Sequence, residues 1–395
     1  MNTKFKTWLE ILLVSSKLGL TSFGGPVAHL GYFREEYVKK RKWLDDRAYA
    51  DLVALCQFLP GPASSQVGLS IGLMRGGIFG SFLSWFGFTM PSVILLVLFA
   101  VLFQNGNVQE AGWLMGLKIV AVAVVAQAVM GMGKSLAPDR PRIAVAVLTA
   151  SGALFFPSAW GQIGLIAAAA VFGYLFYRKE EVPEVPPLLI SVRKKTAAAS
   201  LAVFAALLLF LPVMRYAFPG IYMALFDVFF RVGSIVFGGG HVVLPMLERE
   251  VVPPGWVTDE AFLAGYGAAQ AVPGPLFTLS SYLGAVVSGL PGALVATAAM
   301  FLPSFLLVIG VLPFWSTIRR KRGVQAALMG VNASVVGILL AALYDPVFTS
   351  AIHSAGAFAL ALSSFALLVY WKLPPWAVVL FSIVMGSIMQ PAGLL

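Results

Sequence analysis

Membrane-grade apolar sequence is interrupted twice by glycine and proline, and then twice more in the same order. Phe23-Gly24-Gly25-Pro26 and Pro60-Gly61-Pro62 return as Phe237-Gly238-Gly239-Gly240 and Pro273-Gly274-Pro275, shifted by 214 and 213 residues. Between them Trp43 matches Trp256, Asp46 matches Asp259 and Gln57 matches Gln270, each shifted by 213. Further on, Pro91-Ser92 matches Pro303-Ser304 with a shift of 212. Order and spacing held this closely mark an internal duplication that includes its own helix interruptions. Interrupted helices at corresponding positions of two halves are the best sequence pointer to a transporter's substrate site.

Composition agrees with a membrane setting. Apolar residues make up 59% of the chain and charged residues 11%, against about 25% charged in soluble domains. The apolar runs are of helical length, which excludes an outer-membrane barrel. Cys56 is the only cysteine, so neither an intrachain disulfide nor a cysteine metal site can form. No metal and no cofactor are expected. Lys4 and Lys6 ahead of an apolar run imitate a signal peptide, but no small-residue cleavage site follows and the repeat needs this segment. It is read as retained. The net charge of +10 is read as orientation signal in short loops, and nucleic acid is not expected as a partner.

Spanning helices are expected at about 77–103, 111–132, 142–157, 161–177, 197–213, 292–315, 324–342, 353–371 and 375–391. Residues 8–33, 45–75, 222–247 and 258–288 are each two apolar pieces joined at a break. Loop 34–47 carries six Lys and Arg, whereas its mate around 248–260 carries only Arg249. Loop 104–110 has none, whereas its mate holds Arg319, Arg320, Lys321 and Arg322. Loop 133–142 has three and its mate near 343–351 none. The bias reverses at each matched loop, so the halves are expected to lie upside down relative to one another.

The predicted fold is an all-α polytopic membrane protein of two inverted-topology repeats with broken, re-entrant half-helices. Residues 1–177 form the first repeat, 178–213 a basic cytoplasmic loop and linking helix, and 214–395 the second repeat. A cytoplasmic amino terminus and a cytoplasmic loop 34–47 require 8–33 to enter and return, meeting at Gly24-Gly25. Residues 45–75 turn likewise at Pro60-Gly61-Pro62.

A proline inside a helix costs about 3 kcal/mol or more, and in lipid its freed backbone groups survive only against protein or a water-filled cavity. A half-helix starting in mid-membrane points free N–H groups and partial positive charge into that cavity, which makes an anion site. The candidate donors are Gly24, Gly25, Gly61, Ala63, Ser64, Ser65 and Gln66 in the first half. In the second they are Gly239, Gly240, Gly274, Phe277 and Thr278. Pro26, Pro60, Pro62, Pro273 and Pro275 make the breaks. Hydroxyls and amides around a small void suit a compact tetrahedral oxyanion; ordinary kinks whose hydroxyls bond back to the chain are the bland alternative.

His29 and His241 follow the matched phenylalanines. Each reads either as a proton carrier coupled to anion movement or as a neutral ring holding a freed carbonyl. Lys118, whose repeat mate is Asn332, either snorkels or offers an anion its countercharge. Gln57 and Gln270 stabilise the broken turns or the ligand. Asp51, matched by Ala264, is excluded from direct anion contact by its charge. Glu35, Glu36, Glu248 and Glu250 read as interfacial partners of Arg34 and Arg249. Gly68, Gly72, Gly76 and Gly80 read as one small-residue face on which another helix packs. Gly68-Leu69-Ser70-Ile71-Gly72 fits a nucleophile elbow but lacks the strand-to-helix context, and Gly133-Lys134-Ser135 lacks the leading glycine of a phosphate-binding loop. No enzyme and no ATP-driven motor is expected.

At Phe23-Gly24-Gly25-Pro26 with Ala28-His29, Trp43 and Pro60-Gly61-Pro62, and again at Phe237-Gly238-Gly239-Gly240-His241, Trp256 and Pro273-Gly274-Pro275, the chain resembles the chromate transporter family in its long two-domain form. The resemblance covers almost the whole chain. It implies a bacterial or archaeal inner-membrane exporter of chromate that confers chromate resistance, with sulfate as the close analogue. Gly240 departs from the pattern by replacing the proline, and the second histidine comes two positions sooner, so the two hairpins are expected to contribute unequally. The residues themselves support a secondary active oxyanion transporter working by alternating access, driven by proton antiport or anion exchange. The alternatives are a passive channel of the same fold or a carrier of another physiological anion. A homodimer is compatible with either.

Overall fold

A computed structural model of the protein describes residues 3–22, 25–105, 112–156, 159–178, 192–236, 243–315 and 321–395. Among these residues the regular structure is helical throughout. The helices are α1 (Thr3–Thr21), α2 (Gly25–Phe33), α3 (Asp46–Phe58), α4 (Ala63–Asn105), α5 (Gly112–Leu136), α6 (Arg140–Phe155), α7 (Ala159–Tyr177) and α8 (Lys194–Ala217). They continue as α9 (Ile221–Ile235), α10 (Val243–Val251), α11 (Asp259–Ala271), α12 (Leu279–Val311), α13 (Arg322–Ala342), α14 (Ala355–Val369) and α15 (Pro375–Met389). Residues 34–40, expected as loop, form a π-helical turn.

Local sequence dictates where these helices start. The Asp45 carboxylate accepts the Ala48 N–H at α3, and the Thr258 hydroxyl accepts the Ala261 N–H at α11. The two caps sit at matched positions of the halves, and each supplies an acceptor that the first turn lacks. Asp139 and Ser354 cap α6 and α14 in the same way. α3 and α11 stop just ahead of Pro60-Gly61-Pro62 and Pro273-Gly274-Pro275, two of the expected breaks.

Five helices are long and apolar enough to cross a bilayer, and three shorter apolar ones accompany them among the described residues. Their outward faces carry large apolar side chains: Leu209 is 69% exposed, Leu148 71% and Phe155 80%. Water would penalise such surfaces, whereas acyl chains accept them. The protein is an all-α polytopic membrane protein.

The chain folds as two compact units, residues 1–97, 181–240 and 273–321 in one and 98–180, 241–272 and 322–395 in the other. Each unit takes segments from both sequence halves. In the first, the π-helical turn that follows α2 runs back along α1: Lys17 pairs with Glu36 at 2.9 Å and Arg41 with Glu10 at 3.0 Å. α3 and the start of α4 do the same, with Cys56 Sγ 3.9 Å from Ser70 Oγ and the Arg75 guanidinium 4.2 Å over the Trp43 ring. Both paired segments therefore return to the end at which they began. Val14, Leu18, Phe33, Tyr37, Leu52 and Phe88 belong to the core beneath them.

The stretch Ala63–Asn105 is one run of sequence but two legs in space. Gly77 adopts φ +68°, and Ser81 and Ser84 on the second leg hydrogen-bond the carbonyls of Leu69 and Gly68 on the first, at 2.9 and 2.8 Å. In a continuous helix those partners, 12 and 16 residues apart, would be separated by about 18 and 24 Å. Gly72 faces the Gly80 carbonyl across this hairpin. The expected single small-residue face is corrected accordingly: Gly68, Gly72 and Gly76 precede the turn, Gly80 follows it, and the close partner is the next leg of the same chain. α12 repeats the device at Gly289, φ +61°, where Gly284 meets Gly292.

In the second unit α5, α11, α14 and α15 share a core that includes Leu114, Leu117, Val124, Ala264 and Val378. Gly116 lies against the Ser382 carbonyl and Gly330 against the Ala169 carbonyl, so α5 and α15, and α7 and α13, approach at backbone distance.

Candidate functional site

The two Pro-Gly-Pro breaks fall within the first unit, and their geometry is reciprocal. Gly61 has φ +114° and Gly274 φ +107°, values that favour glycine. The Gly61 N–H donates to the Val236 carbonyl at 2.6 Å, and the Gly274 N–H donates to the Ser22 carbonyl at 2.9 Å. Val236 and Ser22 immediately precede the matched phenylalanines. The second break of each half is thus tied to the edge of the first break of the other half. A Cβ on Gly61 would lie 2.7 Å from Ser304 Oγ, and one on Gly274 would lie 2.8 Å from Ser92 Oγ. Ser92 and Ser304 are themselves a matched pair, so the reciprocity extends to the side chains.

Helix starts supply the donors. After Pro62 the first such bond runs from the Gln66 N–H to the Pro62 carbonyl, which leaves the amides of Ala63, Ser64 and Ser65 without an intrahelical acceptor. After Pro275 a single 3₁₀ turn, Leu276–Thr278, precedes α12, and the Thr278 N–H and hydroxyl both donate to the Pro275 carbonyl. The surrounding side chains are neutral and buried: Ser22, Ser64, Ser65, Gln66, Thr89, Ser92, Thr278, Ser280, Ser281 and Ser304. Gln66 Nε2 donates to the Pro60 carbonyl at 2.6 Å, bracing the turn. The hydroxyls of Ser22, Ser65, Thr89 and Ser280 meet no partner among the described residues. An unpaired buried polar group costs about 1–3 kcal/mol, so several in one unit call for an explanation. A ligand rich in acceptor oxygens would satisfy them.

His29, buried on α2, brings the first hairpin to the second, with Nδ1 3.3 Å from Ser64 Oγ and the ring edge-on to Phe88 at 5.5 Å. The Ser22 backbone is its other polar neighbour. Phe277 packs against Phe301 and is buried, and Ala63 is half-buried. The matched glutamines diverge: Gln57 is exposed on α3, whereas Gln270 is buried on α11 beside the Tyr266 hydroxyl. Lys118 is buried on α5 in the second unit, where its charged neighbours are Asp259 and Glu260. Gly24, Gly239, Gly240 and His241 lie outside the described residues. Gly25 opens α2, and Pro26 follows it within that helix.

Other charges settle into structural roles. Asp51 is buried and accepts the Trp315 indole N–H at 3.1 Å. The expected pairing of Arg34 with the nearby glutamates is corrected: Arg34 binds Asp46 at 2.7 Å, Glu36 binds Lys17 and Arg41, and Glu35 lies 3.5 Å from Lys40. Burial raises the Glu36 carboxyl pKa, but hydrogen bonds from Lys17 and Arg41 together outweigh it and leave the group below its ordinary 4.5. Arg249 donates to the Ala153 carbonyl.

Ser92 and Ser304 were legible as a matched Pro-Ser pair but carried no functional reading, because only their contact with the opposite glycine gives them one. The carbonyls of Ser22 and Val236 left no side-chain signal at all. Among the described residues no cluster of three metal-ligating side chains occurs.

Crossing helices, paired breaks and buried neutral donors define a polytopic membrane protein built around interrupted helices. The chain matches the chromate transporter family over residues 9–174 and 223–387 and belongs to that family. It is 28% identical to a chromate transport protein of Pseudomonas aeruginosa over 83% of this chain and 78% of that one. A chromate transport protein of Cupriavidus metallidurans is 28% identical over 85% and 82%, and an uncharacterized transporter of Methanocaldococcus jannaschii is 26% identical over 96% and 93%. No solved structure matches the chain.

Proposed function

We propose that the protein exports chromate, with sulfate as a competing analogue, by secondary active transport across the inner membrane of a bacterial or archaeal cell. The observation that carries this reading is the reciprocal pair of hydrogen bonds, Gly61 to Val236 and Gly274 to Ser22, which gathers the breaks of both halves among buried hydroxyls. Free amides at the start of α4 and after Pro275 add partial positive charge, which favours an anion without a fixed cation beside it. Substrate binds at the breaks, in contact with Ser64, Ser65, Thr278 and Ser280.

Two inverted repeats, 1–177 and 214–395, joined by the 178–213 segment, carry the site through alternating access. Matched caps, matched positive-φ glycines and matched kinks at Gly77 and Gly289 support the duplication. The alternation of Lys and Arg between matched loops supports the inversion. His29, wedged between the hairpins at Ser64, carries the proton if the drive is proton antiport; anion exchange needs no such carrier.

The test uses sealed inverted vesicles, radiolabelled chromate, sulfate as competitor and an imposed pH gradient. Accumulation against the chromate gradient, suppressed by sulfate, is expected. If neither oxyanion is bound or moved, the substrate assignment fails; flux that only dissipates the gradient identifies a passive pore instead.

A further inference from the structure

At the end of the first unit where α1 starts and the first leg of α4 stops, a cavity of about 560 Å³ opens. Three elements bring cations to it: Lys4 from α1, Arg75 from α4, and Arg193 at the start of α8. The hydroxyl residues Thr7 and Thr196 lie between them. Trp8 forms one wall and is held by its indole N–H on the Gly76 carbonyl at 3.1 Å. Arg75 is fixed by the Trp43 ring and by Glu10 at 3.4 Å. Lys4 and Arg193 have no ion-pair partner among the described residues, so the described wall of the cavity carries net positive charge.

The surroundings indicate what fills it. Lys6, Lys194 and Lys195 belong to the same segments, Lys42 adjoins the Trp43 on which Arg75 stacks, and by the positive-inside rule this end faces the cytoplasm. Ile78 lines the cavity and is 55% exposed; its neighbour Phe79 is 50% exposed, and Phe5 on α1 is 53% exposed. At this level of a membrane protein such side chains meet acyl chains. The cavity therefore has a cationic, hydroxyl-bearing inner wall and an apolar lip.

We propose that this cavity binds the phosphate headgroup of an anionic phospholipid from the cytoplasmic leaflet, its acyl chains leaving over Ile78 and Phe79. Basic pockets at this depth bind lipid headgroups, and the volume lies in the usual range for ligand sites. It is far larger than a single tetrahedral ion requires, and its lip opens toward lipid, which selects a membrane source for the phosphate over a free ion. The site is separate from the helix breaks and does not depend on which anion is transported.

The experiment compares thermal stability and lipid retention of the full-length protein in detergent supplemented with phosphatidylglycerol, phosphatidylcholine or inorganic phosphate. Stabilisation by phosphatidylglycerol alone is expected. The double variant Lys4→Ala/Arg193→Ala should retain that lipid about tenfold or more weakly, while Lys134→Ala/Arg140→Ala, with the same change in net charge, should behave as the parent. Equal stabilisation by inorganic phosphate would overturn the lipid source. Retention unchanged in Lys4→Ala/Arg193→Ala, or lost equally in the control pair, would overturn the site. A monodisperse elution profile for both variants separates loss of binding from loss of fold.

Discussion

At the scale of single residues, the proposed site rests on buried hydroxyls, several of them without a partner among the described residues, and on glycines whose conformation disfavours a substituent. A hydrogen bond to a charged acceptor contributes about 1.5–3 kcal/mol, so Ser64→Ala with Ser65→Ala should weaken chromate binding about tenfold or more, measured by equilibrium binding to purified protein. Unchanged affinity would return both residues to a purely structural role. Gly61→Ala meets two obstacles, a left-handed φ and the Ser304 hydroxyl 2.7 Å from the new Cβ. Backbone strain of this kind costs about 1–3 kcal/mol, and the matched Gly274→Ala should lower thermal stability by a similar amount. Glu36 gives a pH signature. Its carboxyl is depressed in the folded protein, so its contribution to stability is complete above its ordinary 4.5 and is lost as pH falls through the depressed value. Thermal melts of Glu36→Gln and the parent should differ near neutrality and converge only once the pH has fallen below the depressed value; a constant gap would refute the pairing. These residues were only partly legible beforehand. Ser64, Ser65 and the glycines announced themselves through position after a proline. Ser22 and Val236 act through carbonyl groups that every residue possesses, so no side chain marks them.

Elements show a different balance between what chain chemistry reveals and what it hides. Prolines and glycines marked the ends of α3, α9 and α11 and the start of α4 to within a few residues, because each acts locally. The fold-back at Gly77 was marked in part: the boundary between the expected segments 45–75 and 77–103 falls at Arg75-Gly76-Gly77, whereas the four-residue spacing of Gly68, Gly72, Gly76 and Gly80 fits a single straight helix equally well. Two substitutions separate the parts of this hairpin. Gly77→Ala meets no atom within 4 Å and suffers only from its backbone, φ +68° with ψ −162°, a region nearly confined to glycine that costs about 1–3 kcal/mol. Gly72→Ala has regular helical backbone but drives its methyl into the Gly80 carbonyl. Overpacking in a tight core costs about 1–3 kcal/mol and more where backbone must shift, so Gly72→Ala should unfold at the lower temperature of the two. The reverse order would mean that the legs are not pressed together as described.

The whole molecule was least accessible to inspection of the chain, because its two compact units interleave segments from both halves and that interleaving is written only in long-range contacts. The duplication also carries an expectation about topology. Lys4, Arg41, Trp43 and Arg75 lie near one end of the first unit, linked by the Glu10 ion pairs, the Trp43 stack and the shared cavity. Cysteines placed singly at Lys4, Lys42 and Gly77 in a Cys56→Ser background should therefore all react with a membrane-impermeant maleimide from the same side. Labelling of Gly77→Cys from the opposite side would rule out the return of α4.

The two reciprocal bonds also bear on how such a chain is made. The carbonyl that receives the Gly61 amide belongs to Val236, 175 residues later (236 − 61), and the Ser22 carbonyl waits 252 residues (274 − 22) for Gly274. Until the ribosome has delivered those later segments, the early hairpins hold bare peptide groups in a greasy environment that penalises them. Biogenesis must keep the nascent first half sheltered, by the insertion machinery or by water, well past the midpoint of translation.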